Sequence, residues 1–226
     1  MHRTSLVTSI VVLSFVAPAC SIPTMQLEPR FAQRSIDWPM PEVYGVWPPS
    51  ETSIGPFTVS EIHLERRQGV DMGAVRQVGG FDLTMRVGAG TDRFDDVSCR
   101  GSGTPRNGDE LVCTFRGPLG ARTLRNVTLV RDPRDPVVSP SRALYVVTTD
   151  DGADERLRVT RAIAQGFQSG GSGYYVARGE EIFGAIDLNV LGVPRAHADQ
   201  ELDAYTQHEV ASVMAVLFVV EGLSFD

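Results

Sequence analysis

From Pro56 onward the hydrophobic positions recur with a period of two. Phe81, Leu83, Met85 and Val87 alternate with Asp82, Thr84 and Arg86, which is the pattern of a strand with one face buried. Phe57 and Val59 share one parity while Ile62 and Leu64 share the other. The switch near Ser60-Glu61 predicts a β-bulge or two short strands. The same reading predicts strands over 96–100, 110–116, 123–130, 144–148, 156–165, 173–178 and 182–190. Turn residues separate these runs, no long helical pattern interrupts them, and no fixed-period repeat is present. The expected fold is therefore β-rich: an antiparallel β-sandwich or a partly open barrel, not a parallel βαβ sheet.

The C-terminal stretch changes period. Leu202, Tyr205, Val210, Val213, Leu217 and Val220 recur at helical spacing, predicting a C-terminal helix over about 199–221. Asp199 is placed to cap it, Thr206-x-x-Glu209 reads as a capping box, and Gly222 as its stop. Residues 210–220 are apolar nearly all round, so this helix is expected to be deeply buried against one face of the sheet. Eleven such residues are too few to span a bilayer. The β-branched Val213, Val216, Val219 and Val220 keep a strand as the competing reading.

The beginning of the chain has a different logic. Arg3 and the free amine form a short basic start, Ser5 to Val16 is an apolar run, and Ala17-Pro18-Ala19 supplies small residues before Cys20. That order is the n-region, h-region and cleavage site of a secretory leader over 1–19. The residues Val16-Ala17-Pro18-Ala19-Cys20 resemble the lipobox of bacterial lipoprotein precursors. Ala17 stands where Leu is usual, and Pro18 is uncommon after it. The resemblance implies that Cys20 is lipidated and becomes the first mature residue. With Ser21 next to it, the implied destination is the outer membrane of a Gram-negative envelope. It covers residues 1–21 and says nothing of the folded domain. An ordinary leader cut after Ala19 is the alternative.

Seven prolines lie between residues 21 and 56, so 20–56 reads as an extended tether ahead of a single domain over 57–226. Trp38, Tyr44 and Trp47 also fall there. They read either as anchors docked on the chain's own sheet or as a surface that engages a partner.

Composition narrows the chemistry. The net charge of −7 argues against nucleic-acid binding, which needs a basic footprint. All 21 basic residues are Arg, which excludes Schiff-base chemistry and a Walker A lysine. Of the three cysteines, acylation of Cys20 leaves Cys99 and Cys113 as a pair. The turn-rich segment between them suits a structural disulfide, expected to stabilise the fold by about 3 kcal/mol. No C-x-x-C or neighbouring His supports a metal or redox site.

No catalytic, cofactor-binding or metal-ligating set emerges from the remaining residues. His63 lies between Glu61 and Glu65, and His208 precedes Glu209, pairings that a general base would use but that surface residues also show. On one helix, His197 and His208 would lie roughly 16 Å apart. Gly170-Gly171-Ser172-Gly173 fails the nucleophile-elbow pattern at Tyr174. The acidic run from Asp150 to Glu155 reads as a hairpin turn more readily than a Ca²⁺ loop. The repeated Arg-Asp-Pro over 131–136 reads as an extended loop.

The sequence thus supports an exported, membrane-anchored envelope protein with a non-enzymatic binding, structural or assembly role. It expects a membrane partner through Cys20, an envelope protein partner, no nucleic acid and no cofactor. A hydrolase built on His63 or His208 and a small-ligand carrier with an apolar cavity are the competing classes.

Overall fold

The computed structural model describes residues 25, 27–41, 48–67, 71–72, 75–76, 79–90, 93–102, 110–126, 143–150, 152, 154–163, 172–188 and 194–222. Residues 1–19, read above as a leader, lie outside them, as do Cys20, Tyr44, Trp47 and the Arg-Asp-Pro repeat. In chain order the elements begin with α1 (Pro29–Arg34), β1 (Ser35–Trp38), β2 (Thr52–Ile54) and β3 (Phe57–Arg66). A small hairpin follows, β4 (Asp71–Met72) and β5 (Val75–Arg76). Next come β6 (Gly80–Gly88), β7 (Phe94–Ser102), β8 (Leu111–Arg116), β9 (Arg122–Asn126) and β10 (Ala143–Thr149). The chain ends with β11 (Glu155–Ile163), β12 (Ser172–Arg178), β13 (Glu181–Asp187), β14 (Arg195–Asp199) and α2 (Ala204–Gly222).

Twelve of these strands form one antiparallel sheet, ordered β1-β14-β13-β12-β11-β10-β9-β8-β7-β6-β3-β2. From β6 to β14 each strand pairs with the next in sequence, a meander that needs only short connections. The period-two pattern becomes its two faces. Phe81, Leu83, Met85 and Val87 point inward and are buried, while Asp82, Thr84 and Arg86 point outward. The parity switch is a bulge within a single strand: the pairing of β3 with β6 shifts between Ser60 and His63, and Glu61 adopts φ +53°.

The sheet curls into a nearly closed barrel, and its interior is occupied by α2. Residues Val210–Val220 are at most 4% exposed, and α2 touches β2 and β3 at one end of the sheet and β12, β13 and β14 at the other. The expected helix is present, but the sheet wraps round it, not merely across one face. The reason is its composition: a helix apolar on every side has to be covered on every side. Its start also differs from expectation. Asp203, not Asp199, is the cap: its Oδ1 accepts from the amides of Tyr205 (2.9 Å) and Thr206 (3.0 Å). Thr206 lies inside the first turn with its hydroxyl on Asp203 Oδ2 (2.8 Å). Glu209 closes no capping box.

Those amides, with the Thr206 hydroxyl, hold the Asp203 carboxyl below its ordinary value of 3.8. A depressed folded-state value means that the cap stabilises above the unfolded value and is lost as pH falls through the folded one. Asp203→Ala is expected to cost about 1 kcal/mol at neutral pH. The gap to wild type should close on acidification below 3.8, read from urea unfolding at several pH values.

The edges of the sheet meet where the end of β1 packs on the turn between β2 and β3. Trp38, 4% exposed, packs on Phe57 with ring centroids 5.4 Å apart and lies over Gly55. The Gly55 amide donates to the Pro39 carbonyl at 3.0 Å. Gly55 is required twice over, by its φ of +57° and because a Cβ there would collide with the indole.

Upstream of that seam, α1 docks on the outer face of the barrel. Phe31 is buried against Tyr175, Ile182 and Ala185, and Glu28 caps the helix by accepting from the Phe31 amide (2.8 Å). Arg34 pairs with Glu181 (2.9 Å) and with the buried Asp199 (2.8 Å). At the head of the described segment the Met25 amide donates to Asp187 Oδ2 (2.8 Å). Much of the stretch read as a tether is thus packed on the domain, and β1 is one of the barrel's strands.

Candidate functional site

Among the described residues, charged side chains of the barrel wall reach inward from Asp95 on β7, Arg122 on β9 and Arg156 at the start of β11. Asp95 and Arg122 are 0% and 1% exposed. Arg156 reaches inward because the pairing of β10 with β11 shifts between Val147 and Thr148. Such a bulge sets an extra residue opposite one partner and re-aims its side chain. On α2, His208, Glu209 and Ser212 meet these groups, an i, i+1, i+4 set on the first half of the helix.

The geometry is that of a lock between helix and wall. Glu209, 1% exposed, places Oε1 at 2.6 Å from Arg156 Nε and Oε2 at 3.2 Å from Arg156 Nη2. Nη1 of Arg122 and Nη2 of Arg178 each lie 3.7 Å from the same carboxylate. Arg122 Nη2 in turn donates to Asp95 Oδ2 at 2.5 Å. Ser212 Oγ donates to that oxygen at 2.8 Å. His208 Nε2 lies 3.5 Å from it and 3.1 Å from the Val87 carbonyl. One anion on the helix thus meets three guanidiniums, and one on the wall collects a guanidinium and a hydroxyl. The Glu209 carboxylate holds the Arg156 guanidinium above its usual value.

Two atoms in this cluster lack partners, Asp95 Oδ1 and Arg122 Nε. They are the second arms of a carboxylate and a guanidinium already joined by their first arms, so a small rotation would make the pair bidentate. Gly117 leaves room for Asp95, since a side chain there would strike Oδ1.

Ser212, His208 and Asp95 are the residue types of a nucleophilic triad, but their connectivity differs. The hydroxyl donates to the carboxylate rather than to the imidazole, whereas a nucleophile must hand its proton to a base that the acid orients. All three are buried, at 0%, 4% and 0% exposure respectively, and what they do here is hold α2.

The other sequence-singled residues are dispersed. His63 stands on the outer face with Nε2 at 3.2 Å from Glu65 Oε1, both side chains about 70% exposed. His197 is not on the helix with His208: it sits on β14, where Nδ1 is 2.8 Å from Asp37 Oδ1 on the paired β1. Of the acidic run, Asp150, Gly152 and Asp154 lie between β10 and β11, where the Gly152 amide donates to the Thr149 carbonyl (2.8 Å) and Gly152 adopts φ +71°. Cys99 and Cys113 stand directly opposite on β7 and β8 and are joined by a disulfide that faces inward. Among the described residues no His, Cys, Asp and Glu cluster is arranged to hold a metal, and no helix is long and apolar enough to cross a membrane.

A barrel wound round its own C-terminal helix, with the two locked by buried ion pairs, is the class of scaffold this geometry defines. No known protein family matches the chain, and neither does any curated protein or solved structure.

Proposed function

We propose that this protein is a non-catalytic envelope lipoprotein, anchored through Cys20, that presents its outer barrel face for binding or assembly. The observation that carries this reading is the filled interior. α2 occupies the space that a carrier would reserve for cargo, and the interior ionisable groups are engaged with one another. Work on a partner then falls to the outer wall. The Cys99–Cys113 bridge suits an oxidising compartment.

The docked N-terminal segment gives the anchor a consequence. Met25 is held at Asp187, beside Gly173. Five residue steps separate it from Cys20, a reach of roughly 17 Å at full extension. A lipid on Cys20 would keep the barrel close against the bilayer rather than at the end of a long stalk, with the start of β12 and the end of β13 nearest the membrane.

Labelling cells with radioactive palmitate tests the anchor. Wild type should take up label and sediment with membranes. Cys20→Ala should be unlabelled and soluble, yet still exported and carrying the Cys99–Cys113 bridge. An unlabelled, soluble wild type would sink the anchor.

A further inference from the structure

Strand register brings four hydroxyls into one line on the outer wall. Thr84 on β6 stands opposite Ser98 on β7, Ser98 opposite Thr114 on β8, and Thr114 opposite Thr123 on β9. Neighbouring strands are about 4.8 Å apart, so the row runs roughly 14 Å across the sheet. None of the four hydroxyls has a hydrogen-bond partner among the described residues. The disulfide lies on the opposite face beneath the middle of the row, joining the residues next to Ser98 and Thr114. It pins the register on which the line depends.

Longer side chains stand on either side. One flank is Arg86, Asp96 and Arg116, in register across β6, β7 and β8. There Arg86 is held by Asp96 and by Glu61 from the bulge, each at 3.1 Å. The other flank is Asp82, Arg100, Val112 and Arg125, with Arg100 held by Asp82 at 2.9 Å. Short hydroxyls between long guanidiniums make a trough. A groove of about 380 Å³ lies along the first flank, with Thr84, Ser98 and Thr114 in its lining. Arg116 and Arg125 are exposed and have no ion pair among the described residues. The pairing of Thr114 with Thr123 puts these two cations on opposite sides of the hydroxyl row.

We infer that this trough binds a strand of acidic glycan, its hydroxyls meeting the Thr/Ser row and its carboxylates meeting Arg116 and Arg125. Each Thr or Ser hydroxyl both donates and accepts, as sugar hydroxyls do. A guanidinium fork matches a carboxylate with two parallel hydrogen bonds. An extended peptide adding as a strand is disfavoured, because the backbone groups under the row are already taken by neighbouring strands. A nucleic acid is disfavoured because, among the described residues, no aromatic side chain lines the groove for its bases to stack on, and its backbone offers the Thr/Ser row fewer hydroxyls than a sugar chain does. A neutral glycan would leave both cations without a role. The inference deepens the outer-face reading above and is independent of the Cys20 anchor.

Calorimetric titration of the processed, detergent-solubilised protein with an oligogalacturonate tests it, with a neutral dextrin of equal length and polyglutamate as comparators. Oligogalacturonate should bind, more weakly as salt rises, and the comparators should bind at least tenfold more weakly. Arg116→Gln and Arg125→Gln should each weaken binding about tenfold. Thr114→Val/Thr123→Val should do the same with both cations in place, and unchanged unfolding midpoints would show that these variants fold. Failure of wild type to bind oligogalacturonate overturns the proposal. So does equal binding of polyglutamate, which would mean charge alone is read, or binding indifferent to both sets of variants. A soluble wild type that binds as expected would overturn the anchor while leaving the trough intact.

Discussion

Asp95→Ala is expected to destabilise the protein by about 3–5 kcal/mol, a large share of the 5–15 kcal/mol that holds a typical domain together. The loss is large because of what stays behind. Arg122 is 1% exposed and has two anions near it, Asp95 at 2.5 Å and Glu209 at 3.7 Å. Removing the nearer one leaves a buried guanidinium with a distant partner already shared with Arg156, and leaves Ser212 without its acceptor. Buried ion pairs offset little more than their own desolvation, so deleting both members of a pair is far milder than deleting one. Asp95→Ala/Arg122→Met should therefore recover much of the loss, with urea midpoints measured on protein whose disulfide is intact. If the double variant proves less stable than the single one, Asp95 and Arg122 do not act as a pair and the lock is misassigned.

The same residues explain where the sequence was legible and where it was not. Period-two alternation located the strands from β6 to β13, because an inward residue in an antiparallel sheet is usually apolar. It stumbled where that rule is broken. The pattern alone starts these strands at Asp96 and Thr123, one residue beyond Asp95 and Arg122, since an inward charge reads as the end of a strand. Glu209 reads as a capping residue in the sequence because the charges that need it come from β9, β11 and β12, far away along the chain. The signal available was parity: Asp95 falls in phase with Val97 and Cys99, and Arg122 with Leu124. β14 carries no clear strand signal, as its Ala196 and Ala198 are weak strand formers, and only its last residue, Asp199, falls within the helix expected from the sequence. β1 and β2 went unseen in proline-rich sequence because they are short and draw their order from the barrel edges they join. The hydroxyl row leaves no mark in the sequence. Each member is an ordinary outward residue on its own strand, and only register aligns them.

Trp38→Ala is the second change expected to have a large effect, and it separates closure of the barrel from the packing of its core. The indole is 4% exposed and covers Gly55 and Phe57 where the two sheet edges meet. Truncation of a buried aromatic of this size costs about 3–5 kcal/mol. More follows than stability. β1 has four residues and β2 three, too few to hold their places without the seam. Once it opens, the unpaired edges of a long antiparallel sheet become templates for another chain. The variant should therefore associate with rising concentration, visible by sedimentation, while wild type does not. Hydrogen exchange gives the local readout. The Gly55 amide, bonded to the Pro39 carbonyl at 3.0 Å, should lose protection out of proportion to amides of β7 and β8 beside the disulfide. Trp38→Phe, which keeps a ring over Gly55, should retain most of that protection. A Trp38→Ala protein that loses less than about 1 kcal/mol and keeps Gly55 protected would mean that the barrel closes by another route, with α2 rather than the seam holding its edges together.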